Sequence, residues 1–116
     1  YVANSHGPRP IWMSYELKEN GTVKKGKLFF DSTEYRKKHR SRKGGNDGMK
    51  VDVDGNIWAT GPGGVLVFSP KGKHLGTVLT GQRTANCAFG DDGSTLYMTA
   101  DMYLMRIKTS IKGNGF

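Results

Sequence analysis

The sequence predicts an all-β fold made of β-propeller blades, and three observations favour it. Strand-like stretches recur at short, even spacing and are separated by turn residues. A unit of strand, turn and strand repeats after 39 residues, close to the length of a four-stranded blade. Only 35% of the 116 residues are hydrophobic while 17 are glycine, which is typical of short strands joined by tight turns.

Ten stretches have the composition and alternation of strands. In chain order they are residues 1–4, 11–17, 27–30, 49–53, 57–60, 64–68, 74–79, 86–89, 96–99 and 103–107. Residues 32–38 alone show some helical periodicity, and that stretch is too short to assign to a helix. The sequence is therefore interpreted as all-β throughout.

The repeat narrows the architecture. Residues 54–60 (DGNIWAT) match residues 92–99 (DGSTLYMT) with one insertion, so that Trp58 corresponds to Tyr97, 39 positions later. Residues 1–3 (YVA) can be aligned as a third copy. A period near 40 with about four strands per unit indicates propeller blades. A stand-alone sandwich of about ten strands is the alternative, but a fixed repeat offset is not expected of it.

The repeat also divides the chain. We predict blade pieces at about residues 1–31, 47–79 and 86–110, joined by a basic loop at residues 32–46. The middle piece is predicted to be one complete four-stranded blade. Because roughly three blades cannot close a ring, we expect the missing blades to come from the rest of the chain or from another chain. The sequence starts abruptly on a strand and without an initiator Met, which also leads us to expect a piece of a longer chain.

The positive charge of the chain is concentrated in the basic loop. The formal net charge is +8, and residues 34–43 (EYRKKHRSRK) contribute +5 of it through six cations and one Glu. This segment is either a solvated surface loop or a patch that steers anions or binds a partner. Nucleic acid is not expected as a partner, and no apolar run is long enough for a membrane helix. The compartment stays open between the cytoplasm and the bacterial periplasm.

Most residues with reactive side chains have a plain interpretation. Cys87 is the single cysteine and lies beside apolar residues, so we expect a small buried side chain instead of a nucleophile. His6, His39 and His74 share no metal-binding spacing and are expected at the surface.

Two Asp-Gly pairs seven residues apart have different expected roles. Asp54-Gly55 recurs as Asp92-Gly93 and is interpreted as a hairpin turn. The stretch 52–56 superficially matches the start of a calcium-binding loop, but it lacks flanking helices and a Glu at the twelfth position. The Asp47-Gly48 pair, in contrast, is not repeated: Ala85-Asn86 stands at the corresponding place in the next unit. The Asp47 carboxylate either caps a local turn or projects into the central channel as an oxygen ligand, and the spacing leaves both open.

Asn86 stands at nearly the position in its blade piece that Asp47 has in the preceding one. It either lines the same cavity and hydrogen-bonds a substrate, or caps its own strand.

One stretch carries a specific family resemblance. Residues 46–58, NDGMKVDVDGNIW, resemble the P-D-G-M-x-x-D-x-x-G-N-hydrophobic-aromatic signature of the gluconolactonase/regucalcin (SMP-30-like) family. The later stretches TGPGGV, ANCAFG and TLYMTA are similar to the segments after the signature in bacterial gluconolactonases. The resemblance runs from Tyr1 to about Lys112 and implies the C-terminal part of a six-bladed propeller. Asn46 replaces the usual Pro, which is expected to loosen the approach to the turn.

The resemblance implies a site and an activity. The Asp of the family's Asp-Gly-Met binds a single divalent cation, which makes Asp47 the expected metal ligand and, through a water, the expected general base. The expected cation is Ca²⁺, with Zn²⁺, Mn²⁺ and Mg²⁺ as alternatives. The family's other ligands, a Glu and two Asn, would lie before Tyr1.

The implied function is metal-dependent hydrolysis of a sugar lactone, with this chain supplying part of the active site and being inactive alone. The alternative is a non-catalytic propeller segment that binds an anionic or protein partner through the basic loop.

Overall fold

The computed structural model describes all 116 residues and contains ten β-strands and one α-helix. The strands are β1 Val2–Ala3, β2 Ile11–Ser14, β3 Lys27–Asp31, β4 Met49–Val51, β5 Ile57–Gly61, β6 Gly64–Phe68, β7 His74–Leu79, β8 Thr84–Gly90, β9 Thr95–Ala100 and β10 Tyr103–Lys108, and the helix is α1 Thr33–Lys38. Every predicted strand is present, with ends that differ by at most three residues. The all-β prediction is confirmed.

The strands form three antiparallel sheets in chain order. The first sheet is β1-β2-β3, the second is β4-β5-β6-β7 and the third is β8-β9-β10. Each strand pairs with its neighbour in sequence, as expected for strands joined by short turns. No crossover connection is needed within any sheet.

The second sheet is buried on both faces because it lies between the other two. The first core, against the first sheet, contains Trp12, Ile57, Ala59, Leu66 and Phe68. The second core, against the third sheet, contains Val65, Cys87, Phe89, Leu96 and Met98. Successive side chains of a strand point to opposite faces, so β6 supplies Leu66 to the first core and Val65 to the second.

The outward faces of the first and third sheets expose large apolar side chains. Leu28 on β3 is 59% exposed and Leu104 on β10 is 73% exposed. Leu28 pairs with Met13, next to the core residue Trp12, and therefore points away from the second sheet. The stack of three sheets thus has an apolar surface at each end.

The Asp54-Gly55 pair forms the predicted turn, but a neighbouring carboxylate holds it. Gly55 has a φ of 79°, in the left-handed region that favours glycine. Asp52 is buried, and its Oδ1 accepts the backbone N–H groups of Asp54 at 3.0 Å and Asn56 at 2.9 Å. Its Oδ2 accepts the indole N–H of Trp58 at 2.9 Å. Because these donors occupy both oxygens, the turn is structural and does not form a calcium loop.

The third sheet repeats this carboxylate–aromatic bond. Tyr97 donates its hydroxyl to Asp91, with distances of 3.1 and 3.2 Å to the two carboxylate oxygens. Both bonds join residues six positions apart, and the two bonds are offset by the same 39 residues as the sequence repeat. The repeat therefore preserves a specific contact as well as a pattern of strands.

The basic loop begins with a helix that the sequence does not predict. The backbone N–H of Thr33 donates to Oδ1 of Asp31 at 2.8 Å, and the N–H of His39 donates to the carbonyl oxygen of Tyr35 at 3.0 Å. The Tyr35 ring packs against the first core. A helix of six residues is marginal by itself, so this tertiary contact stabilises it. The helical periodicity of the sequence is too short to predict it.

The structure has no helix with the length and apolarity to cross a membrane.

Replacing Asp52 by Ala should lower the free energy of unfolding by about 2–4 kcal/mol, because four donors, two of them on Asn56, lose a buried carboxylate partner. Asp54→Ala is the matched control, since Asp54 is exposed and its side chain makes no hydrogen bond; its effect should stay within about 0.5 kcal/mol. Urea unfolding of the two variants measures both quantities. Equal losses would contradict the assigned role of Asp52.

Candidate functional site

Asp47 lies just before β4, at one edge of the second sheet. Its backbone N–H donates to the carbonyl oxygen of Thr60 at 3.2 Å, which fixes the main chain against β5. The carboxylate is exposed and accepts no hydrogen bond within the chain. It does not cap the turn, and both oxygens are available as acceptors.

Asn86 lies near the start of β8 and uses one end of its side chain locally. Its Oδ1 accepts the backbone N–H of Cys87 at 2.9 Å, and its own N–H donates to Oγ1 of Thr99 at 3.1 Å. Since only the amide oxygen can accept from an N–H, this bond fixes the orientation of the amide group. The Nδ2 group makes no hydrogen bond within the chain. Asn86 therefore caps its strand and still presents a free donor.

The structure brings together the two chain segments that carry the predicted site residues. Gly48 donates its N–H to the carbonyl oxygen of Ala85 at 3.0 Å, joining the segment before β4 to β8. The buried hydroxyl of Thr60 lies 3.1 Å from the carbonyl oxygens of both Gly48 and Ala85. A Cβ on Gly48 would overlap Oδ1 of Asn86. Glycine is thus required here for close approach, and Asn86 lies directly against the residue that comes after Asp47.

Asn46 does not loosen the approach to Asp47, contrary to the expectation from its replacement of Pro. It is 1% exposed. The hydroxyl of Ser32 lies 3.1 Å from Oδ1 of Asn46 and 2.7 Å from the carbonyl oxygen of Pro10. The buried Asn46 amide thus contacts Ser32, which is itself bonded to the residue before β2, and this contact holds the chain in place before Asp47.

Cys87 is the buried small side chain that the sequence predicts. It is 3% exposed, and its thiol donates to the carbonyl oxygen of Trp58 at 3.3 Å. Desolvation by burial raises the pKa of the Cys87 thiol from 9.0 to about 11. A thiol that keeps its proton at neutral pH is a poor nucleophile.

A cavity of about 240 Å³ opens beside Asn86. Its wall includes Lys50 from β4, Tyr97 and Thr99 from β9, and Leu104 from β10. The cavity lies on the outward face of the third sheet, so it combines one cation and one free amide donor with apolar surface.

Asp47 is the one metal ligand that the resemblance places in this chain, and the structure gives it no ligating neighbours. No three His, Cys, Asp or Glu side chains are grouped so that they could hold a metal ion. Calcium takes six to eight oxygen ligands, which a single carboxylate cannot supply. The free Asp47 carboxylate fits the role of one oxygen ligand of such a cation.

None of the three histidines is buried, but His39 and His74 are only partly exposed. His39 and His74 both pack against Tyr35, with ring centroids 4.6 and 5.2 Å away. No spacing in the sequence signals this cluster, because its members come from α1, the basic loop and β7.

Solved structures of other proteins share this fold. A crystal structure of a structural-genomics target assigned to the gluconolactonase family superposes with a TM-score of 0.74 at 36% identity, covering 87% of this chain and 32% of that one. A luciferin-regenerating enzyme superposes with a TM-score of 0.70 at 21% identity, covering 87% and 39%. A gluconolactonase from Xanthomonas campestris gives 0.67 at 23% identity, covering 87% and 29%. The last two support the fold alone.

The sequence comparisons define the family. Residues 1–101 match the SMP-30/Gluconolactonase/LRE-like region. A gluconolactonase from Zymomonas mobilis subsp. mobilis (strain ATCC 31821 / ZM4 / CP4) is 36% identical over 118 residues, which cover 97% of this chain and 32% of the relative. The chain therefore belongs to the SMP-30/gluconolactonase/LRE-like family, as the signature around Asp47 predicts. It spans about a third of the length of this relative.

Gly48→Ala should destabilise the chain by about 1–3 kcal/mol and displace Asn86, because the added methyl group overlaps the amide. Gly45→Ala is the matched control: a Cβ there meets nothing within 4 Å, so stability should be unchanged or slightly higher. Thermal unfolding compares the two variants. A Gly48→Ala protein as stable as Gly45→Ala would show that the close approach does not exist.

The raised pKa of Cys87 predicts a pH dependence of stability. The folded state retains the thiol proton up to about pH 11, whereas the unfolded chain loses it near its ordinary value of 9.0. The stabilisation is fully present below pH 9.0 and is lost as the pH rises toward 11. The difference in unfolding free energy between wild type and Cys87→Ala should therefore shrink across this range. A constant difference in urea titrations would contradict the prediction.

Proposed function

We propose that this chain forms part of the active site of a metal-dependent lactonase that hydrolyses a sugar lactone to an aldonic acid. The observation that carries the proposal is the free, exposed carboxylate of Asp47, whose neighbour Gly48 lies against the amide of Asn86. Its support from relatives is membership in a family that includes a Zymomonas mobilis gluconolactonase.

Asp47 is suited to two tasks in such a reaction. An ionised carboxylate is an acceptor only, so it can bind a divalent cation, for which Ca²⁺ is our first choice before Zn²⁺, Mn²⁺ or Mg²⁺. When bound, the cation would polarise the lactone carbonyl and lower the pKa of a water. Asp47 accepts the proton of the attacking water, whose oxygen bonds to the carbonyl carbon as the ring C–O bond breaks. The ring oxygen leaves as the hydroxyl of the aldonic acid once it takes up a proton.

Asn86 orients the substrate in this proposal. Its Oδ1 is already bonded to Cys87, and the free Nδ2 can donate to a hydroxyl or ring oxygen of the lactone. Because Asn86 lies against Gly48, such a bond would hold the substrate beside Asp47. Precise positioning of this kind contributes to rate by making the reacting groups neighbours.

We further propose that the three sheets are consecutive pieces, at about residues 1–31, 47–79 and 86–110, of one six-bladed β-propeller. The stacking of antiparallel sheets with buried faces between them supports this architecture. The exposed Leu28 and Leu104 on the two outward faces are where adjoining blades would pack. The missing blades and metal ligands would come from the rest of the protein or from another chain. The 116 residues alone would then be inactive.

Asp47→Ala in the complete protein should reduce cation-dependent hydrolysis of glucono-1,5-lactone by at least about a hundredfold, because a ligand and a proton acceptor are lost together. Asp54→Ala removes an equally exposed carboxylate seven residues away and should leave the rate unchanged. Calcium titration calorimetry on the same variants separates lost cation binding from lost proton transfer. Full activity and unchanged calcium affinity of the Asp47→Ala protein would contradict the role assigned to Asp47. A complete wild-type protein without cation-dependent lactonase activity would favour the alternative of a non-catalytic segment that binds a partner through its basic loop.

A further inference from the structure

A second cleft lies between α1, the basic loop and β7. Its cavity measures about 350 Å³, at the lower end of the range for small-molecule sites. The polar residues that line it are Tyr35, Lys38, His39, Arg42, His74 and Thr77. β7 is the edge of the second sheet farthest from β4, so about three strand spacings, or roughly 14 Å, separate this cleft from the edge where Asp47 lies. The cleft is therefore not part of the proposed lactonase site.

A chain of hydrogen bonds runs along the cleft wall. Arg42 donates from Nη1 to the hydroxyl oxygen of Tyr35. The Tyr35 hydroxyl lies 2.9 Å from the hydroxyl of Thr77, which lies 3.0 Å from Nε2 of His74. Residues distant in sequence thus form one connected row of hydrogen bonds. A change of donor and acceptor roles at one end can reverse these roles along the whole row.

The charges in the cleft have one sign. Lys38 and Arg42 are permanent cations, His39 and His74 can become cations, and no lining side chain is a carboxylate. The one ion pair within residues 34–43 joins Lys37 to Glu34, which lie outside the cleft. A cluster of cations with no carboxylate partner favours an anionic ligand, because the ligand would offset their mutual repulsion.

We propose that this cleft binds a tetrahedral oxyanion, such as the phosphate group of a small phosphorylated molecule. Arg42 and Lys38 supply the permanent charge, and the histidines and hydroxyls supply directed donors. Arginine suits this role because its planar guanidinium offers several N–H donors, of which one bonds Tyr35 and others stay free for the ligand.

Protonation of His74 would change which donors face the ligand. When His74 is neutral and its Nε2 accepts, Thr77 donates to His74 and Tyr35 donates to Thr77, so no hydroxyl proton is left over. When His74 is protonated, Nε2 donates to Thr77, Thr77 donates to Tyr35, and the Tyr35 hydroxyl is free to donate to an oxyanion. Binding and proton uptake are therefore coupled through the row of hydrogen bonds.

The surroundings of both histidines disfavour this protonation. Desolvation is the main cause that lowers the pKa of both His39 and His74 below 6.5, and the cation of Arg42 lowers it further. The cation of Lys38 also lowers the pKa of His39, while a backbone hydrogen bond of Gly76 raises that of His74. A bound dianion opposes the cationic contributions, so it should raise both pKa values, and affinity should rise as the pH falls through them.

Sulfate is the suitable probe, because it remains a dianion across the range in which histidine titrates. Sulfate added to the full chain should raise the pKa values of His39 and His74 measured by NMR, and should bind about tenfold more tightly for each histidine whose pKa rises by one unit. Phenyl phosphate should compete with it. Sulfate that leaves both histidine titrations unchanged, or binds equally at about pH 5.5 and pH 8, would overturn the proposal.

Matched variants locate the binding. Arg42→Gln should weaken sulfate binding by about tenfold or more through loss of a charge-assisted donor. Tyr35→Phe keeps the ring and should reduce the pH dependence, because the contribution through the row of hydrogen bonds is lost while the charge of the two histidines remains. Arg40→Gln makes the same charge change at an exposed position of the same loop outside the cleft and should have little effect. An equal loss in Arg40→Gln and Arg42→Gln would refute the cleft in favour of diffuse attraction by the loop. Circular dichroism confirms that each variant is folded.

Discussion

Burial of the second sheet on both faces is the constraint on which the rest of the structure depends. A strand that is covered on one side can alternate apolar and polar residues, but β5 and β6 must be apolar on both sides, and their sequences IWATG and GVLVF meet that demand. Phe68 packs with Trp12 on one side, while Trp58 packs with Phe89 on the other, at centroid distances of 5.3 and 5.5 Å. These contacts specify the register of the second sheet, since a one-residue slip of β5 or β6 would exchange the side chains of the two cores.

The position of the candidate site is a result of this stacking. Two neighbouring sheets bring the starts of β4 and β8 together, and the glycine at position 48 allows their backbones to touch. Buried Thr60 ties both segments with one hydroxyl group. The residues that define the site are therefore held by main-chain bonds at the end of a rigid core, while the Asp47 carboxylate itself remains unconstrained. This arrangement fixes the main chain of Asp47 and leaves both oxygens of its carboxylate free to accept hydrogen bonds or bind a cation.

The sequence is sufficient to predict the strands and their order, and it indicates which two segments form the candidate site. Strand alternation, Asp-Gly turns and the 39-residue offset are local or periodic signals, and they locate every strand and pair the position of Asp47 with that of Asn86. The role of Asp52 cannot be predicted in this way, because its five hydrogen-bond contacts depend on the folded turn and on the reach of Trp58. The cleft around Tyr35 has no sequence signal for a related reason: residues 35 and 77 meet only after two sheets have stacked.

The carboxylate–aromatic bond that recurs in the second and third sheets has a consequence for how such a protein can diversify. The donor is an indole N–H in the second sheet and a phenol O–H in the third. The hydrogen bond therefore tolerates a change of donor group as long as its geometry is kept. Each sheet is thereby stabilised by its own hydrogen bond, which does not involve the residue at the start of the sheet. That residue can then vary, as Asp47 in the second sheet and Asn86 in the third, without destabilising the sheet that carries it. Repetition of this kind separates the part of a duplicated unit that must stay the same from the part that is free to acquire a new task.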